Sequence, residues 1–66
     1  MTTYRKMVLR SAKIMIDRFG DEALAEVDLR IAELRVRGEH ETEELWKEIR
    51  EAVRFLTSKS NNDTEH

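Results

Sequence analysis

The stretch DEALAEVDLRIAELRVRG, residues 21–38, carries two apolar stripes where a surface helix carries one. At about 100° per residue, Leu24, Val27, Ile31 and Leu34 form one row. Ala25, Leu29, Ala32 and Val36 form a second row on nearly the opposite side. Glu26, Arg30, Glu33 and Arg37 separate the rows along one edge, and Asp28 and Arg35 along the other. Glycines bound the stretch. Gly20 and Gly38 each stand where a helix ends in a left-handed residue, which glycine adopts without a Cβ penalty. Asp21-Glu22 suits the positive end of a helix dipole, and Arg35 and Arg37 suit its negative end.

Working outward from these two glycines, the spacing predicts helices over 3–18, 22–36 and 41–57. Short connections between them imply an all-α, three-helix antiparallel unit. In the last helix Leu45, Trp46, Ile49, Ala52, Val53 and Leu56 share one compact arc, and Phe55 lies outside it. The first helix is broader. Tyr4, Met7, Val8, Leu9, Ala12, Ile14, Met15, Ile16 and Phe19 spread over roughly 220° of its circumference. The expected core is Met15, Phe19, Leu24, Val27, Ile31, Leu34, Leu45, Trp46, Ile49, Val53 and Leu56. Residues 1–57 read as one helical domain. Residues 58–66 have no apolar side chain and read as a disordered polar tail.

Composition narrows the means by which so short a chain is held together. It has 66 residues, no cysteine, no proline and two histidines. Domains of this size are marginal unless a disulfide, a metal or association supports them. Without cysteine there is no disulfide or thiolate zinc site, and His40 and His66 do not make a metal cage. Association is the remaining device. No apolar run approaches a membrane span, and Met1–Lys6 is not followed by a signal-peptide core. The expected location is cytoplasmic.

The second stripe gives association a surface. Left in water, Leu29, Val36 and the excess of the first helix forgo about 1.5–3 kcal/mol per large side chain. That is comparable with the whole stability of a small domain. The expected interface is therefore Leu9, Ile16, Leu29, Ala32 and Val36. The expected partner is a second copy in a homodimer or a larger protein, the two-fold homodimer being the commonest arrangement.

Charge is unevenly placed on a chain of net charge −2. Residues 1–20 carry five basic side chains against Asp17, residues 21–40 three against six acidic, and residues 41–66 four against seven. Lys6, Arg10 and Lys13 form a one-sided basic strip, a candidate anion-binding surface. Few charges, no interleaved aromatic and a glutamate-rich third helix make nucleic acid the weaker alternative. His40 and Glu44, at i,i+4, are a two-point metal clip at most, in a segment where acidic residues suit a helix start anyway. Trp46 reads as a core or interface anchor, and Arg30 as one half of a surface pair with Glu26. No nucleophile–base arrangement, phosphate loop or cofactor motif is present. No cofactor, metal or small-molecule substrate is expected, and no enzyme. The expectation is a small interaction module or regulatory subunit.

From Ile14 to Leu56 the sequence resembles a family of short, uncharacterised, mainly alphaproteobacterial proteins that share a domain of unknown function. Phe19-Gly20-Asp21 stands at the family's first turn, and Ala23, Arg30 and Leu34 at its second-helix positions. Gly38-Glu39 stands at its second turn, and Trp46, Ile49, Ala52, Val53 and Leu56 match its closing W-x-x-I-x-x-A-[IV]-x-x-L pattern. The chain departs from the family where Phe19 replaces a histidine, and where Ala32 and Glu39 each replace an aspartate. The resemblance implies a helical fold and no established activity.

Overall fold

The computed structural model describes the backbone of residues 2–65 and the side chains of residues 3–58. Helix α1 spans Thr2–Phe19, a 3-10 turn spans Gly20–Glu22, α2 spans Ala23–Arg37 and α3 spans His40–Glu65. There is no strand among the described residues, and the chain is all-α. No described helix is long and apolar enough to cross a membrane.

The expected unit of three separate antiparallel helices needs correction. No non-helical residue lies between α1 and α2, so the chain forms two helical stretches, the first of them in three pieces. The reason is local. Gly20 takes φ +57°, and Asp21 and Glu22 continue at once in a 3-10 turn closed by the Ala23 N–H donating to the Gly20 carbonyl. The expected loop is thus itself a helical turn.

The second glycine makes the sharper break. Gly38, at φ +78°, donates its N–H to the Arg35 carbonyl at 3.1 Å, and Glu39 donates to the Leu34 carbonyl at 3.0 Å. This pair of bonds is the Schellman closure, which satisfies the last carbonyls of α2 and reverses the chain. A Cβ on Gly38 would meet nothing within 4 Å, so its cost is conformational alone. Gly38→Ala is expected to lose about 1–2 kcal/mol, the left-handed penalty of an L-residue, and Gly38→Asn distinctly less. Urea unfolding of the two variants side by side checks the order.

α3 continues well past its expected end at residue 57, because no glycine or proline follows Gly38 to stop it. In the expected polar tail, 58–66, the backbone is helical to Glu65. Its side chains beyond Ser58 lie outside the described residues.

α3 is the element on which the other two pack; α1 and α2 touch each other less. Asp28 reaching Arg50, and Arg35 reaching Glu43, show α2 and α3 running in opposite directions. The buried core is Val8 and Ala12 from α1, Ala23, Val27 and Ile31 from α2, and Ile49 and Val53 from α3. Leu34 is buried as well. Met15, Leu24, Leu45, Trp46 and Leu56, all expected inside, are half-buried against this cluster.

Phe19, also expected inside, is exposed. As the last residue of α1 its backbone has already moved to φ −114°, ψ −9°, so the helical wheel no longer places its side chain. The three small contributors Val8, Ala12 and Ala23 lie where helices approach closely, and small side chains permit that approach. The Cα envelope measures 43 × 27 × 16 Å. Its thinnest dimension leaves room for a single shared core layer.

Candidate interaction surface

The inner row of α2 is used up by the core: Val27, Ile31 and Leu34 are buried. The outer row is left in water. Leu29 is 60% and Val36 88% exposed, and Ala25 and Ala32 on the same row are exposed too. The two large side chains are seven residues apart, two turns of helix, and project on one side about 10.5 Å from each other.

The two edges of this stripe are treated differently. On one edge α3 takes up the charges. Arg50 Nε donates to Asp28 Oδ1 at 2.6 Å, and Arg35 Nε donates to Glu43 Oε2 at 3.1 Å. On the other edge Glu26 and Glu33 make no ion pair among the described residues, and both flank Leu29 at helical spacing. Arg30, also on that edge, does not pair with Glu26 as expected. Its guanidinium lies over the Trp46 ring, 5.6 Å from the centroid, a contact worth about 0.5–1 kcal/mol at an exposed site. Trp46 is accordingly half-buried, one face on the core and one under Arg30.

On α1 the expected interface residues part company. Leu9 is 37% exposed, whereas Ile16 is half-buried against the core. Lys6, Arg10 and Lys13 are exposed together with Asp17, and Leu9 and Ile14 border the same shallow depression. A separate groove of about 510 Å³ runs between α1 and α3, lined by residues that include Tyr4, Val8, Glu48 and Ala52.

Glu43, in the first turn of α3, is buried. Lys47 Nζ lies 3.4 Å from its Oε2, and His40 Nδ1 lies 3.6 Å from its Oε1. His40 therefore faces Glu43 and not Glu44, and among the described residues no three His, Cys, Asp or Glu side chains cluster. The Arg35 hydrogen bond, helped by Lys47, holds the Glu43 carboxyl below the ordinary glutamate value of 4.5, against the opposing effect of burial. A carboxyl lowered on folding stabilises the fold above its unfolded value, and that contribution is lost as pH falls through the folded value. Stability is thus expected to drop as pH is taken below about 4.5. Glu43→Gln should show less of this acid loss, in urea midpoints compared at pH near 7 and near 3.

The surface with the least explanation inside one chain is the outer row of α2, with α1's basic strip second. Compared with known proteins, the chain matches no family model, no curated protein and no solved structure.

Proposed function

We propose that this chain is a small, non-enzymatic protein-interaction module that acts through the outer face of α2, and that its partner is a second copy of itself. The observation that carries this reading is the exposure of Leu29 and Val36 on a helix whose other apolar row is already buried. Covering both is worth about 1.5–3 kcal/mol for each side chain taken fully out of water.

A small core supports the same reading, since Val27 and Val53 are the largest side chains that are fully buried. The resemblance to short alphaproteobacterial proteins bears on the fold alone.

A nucleic-acid role would use Lys6, Arg10 and Lys13, which are exposed on one side of α1. Three charges give weak binding that falls steeply with salt, and α3 brings more glutamate than lysine and arginine. Retardation of DNA or RNA at low salt is the check, and none is expected.

The interaction reading makes melting depend on protein concentration, because only the folded chain can associate. The midpoint is expected to rise over a hundredfold increase in concentration. A constant midpoint across that range would remove self-association as the function of the stripe.

A further inference from the structure

We infer that α2 pairs antiparallel with α2 of a second copy, about a two-fold axis beside Ile31, so that the two outer rows close on each other. This rests on the reading of α2 as an association surface and adds which surface meets it, and in what register.

The outer row keeps a heptad rhythm. Ala25, Leu29, Ala32 and Val36 follow one another at intervals of four, three and four residues, the spacing of a seam between two helices. All four are exposed, while Val27, Ile31 and Leu34 on the inner row are buried. Along the chain the row alternates small, large, small, large; read backwards it alternates large, small, large, small. Two copies laid antiparallel therefore set Leu29 against the partner's Ala32, and Val36 against the partner's Ala25. Each layer joins one large side chain to one small one, which fills the seam evenly and lets the backbones approach. A parallel pair would set Leu29 on Leu29 and Ala32 on Ala32, full layers alternating with hollow ones.

The charged edge has the same property. Glu26, Arg30, Glu33 and Arg37 run minus, plus, minus, plus, and reversed they run plus, minus, plus, minus. A two-fold axis across the helices brings this edge of one copy against the same edge of the other, so every position faces the opposite sign. Glu26 meets the partner's Arg37, and Glu33 meets the partner's Arg30. With the axis beside Ile31, these pairs and the apolar layers all lie within one residue rise, about 1.5 Å, of level. Both arginines keep donors to give. Arg37 lies 4.0 Å from Glu39, and Arg30, over the Trp46 ring, still presents the N–H edge of its guanidinium. The other edge of the row is engaged with α3 through Asp28 and Arg35. A parallel pair would set that edge against this one, with Asp28 beside the partner's Glu33 and like charges facing. Size and charge are independent patterns in the sequence, and one register satisfies both.

The chain has no cysteine, so single introduced cysteines report the pairing without background. In this register two copies of position 36 lie about 15 Å apart along the helix, and two copies of position 25 about 18 Å. A disulfide bridges Cα atoms no more than roughly 7 Å apart. Val36→Cys alone and Ala25→Cys alone are thus expected to stay largely unlinked under mild oxidation, and their equal mixture to give mainly the disulfide between positions 25 and 36. Both positions are exposed, so neither substitution disturbs the core. A charge exchange reads the same register without oxidation. Glu26→Arg and Arg37→Glu each place like charges in both contacts of a homodimer, and sedimentation is expected to show each dissociating about fivefold more readily. Mixed one to one, the two variants pair opposite charges in both contacts, and most of the lost affinity is expected to return.

Val36→Cys that links to itself as readily as to Ala25→Cys overturns the inference. So does a mixture that associates without linking positions 25 and 36, or a charge mixture no tighter than its components. If, besides that, Leu29→Glu still dissociates the assembly, the association surface stands and only its proposed cover is lost. An unaltered chain that never associates removes both.

Discussion

Leu29→Glu is expected to abolish self-association while leaving the helical fold intact. The side chain is 60% exposed, so its removal opens no cavity in the core. The new carboxylate would stand one helical turn from both Glu26 and Glu33, where like charges already repel. Closing an interface over it would bury an unpaired charge, which costs several kcal/mol after relaxation. A cost of about 2.7 kcal/mol is a hundredfold in dissociation constant, and an effect at least that large is expected at a two-fold interface, where the substitution enters twice. Arg54→Glu, on the exposed side of α3, introduces the same carboxylate away from the stripe, with a larger change of charge, and should leave association unaltered. Size-exclusion profiles of the two variants at matched concentration separate them, and equal behaviour would mean that the stripe is not the interface.

Ile49→Ala is expected to have the largest effect on folding. Ile49 is 2% exposed and lies in the cluster where α1, α2 and α3 meet. Truncating a buried isoleucine to alanine costs about 2–5 kcal/mol through lost transfer energy and an unfilled cavity. A domain of this length has roughly 3–10 kcal/mol in total, so the variant should be largely unfolded when dilute. Raising its concentration should restore helicity in part, since association favours the folded chain by mass action. Phe19→Ala is the informative contrast. By residue type it removes more apolar surface, yet Phe19 is 37% exposed at the end of α1, and the loss should stay near 1 kcal/mol. If Phe19→Ala proves as damaging as Ile49→Ala, the placement of the core is at fault.

Much of this architecture is legible in the sequence. Apolar periodicity on α2 separates an inner row that is buried from an outer row that is not, because the wheel depends only on helical geometry. The two glycines mark the turns because a left-handed residue is needed at each. What periodicity could not reveal depends on distance between helices. Ala12 and Ala23 are buried because backbones approach at those points, and an alanine in a sequence gives no sign of it. Glu43 presents the opposite case. A glutamate in the first turn of α3 is expected for dipole reasons, and its burial follows only from Arg35 and Lys47 converging on it. Arg30 had an acidic neighbour in sequence but an aromatic one in space, and the aromatic ring holds it. The third helix passes its expected end at residue 57 because polarity alone does not stop a helix, and the segment holds neither glycine nor proline. In the interaction surface, Leu29, Ala32 and Val36 were legible from α2 alone. Ile16 proves half-buried against the core, and the sequence does not show this because α1 is apolar over so wide an arc that its core edge cannot be told from its outer edge.

Sedimentation equilibrium of the unaltered chain across micromolar concentrations tests the central claim most directly. The account predicts a mass that climbs from 7.8 kDa toward twice that value as concentration rises. A well-folded chain that stays at 7.8 kDa throughout, with Leu29 and Val36 permanently in water, would contradict it.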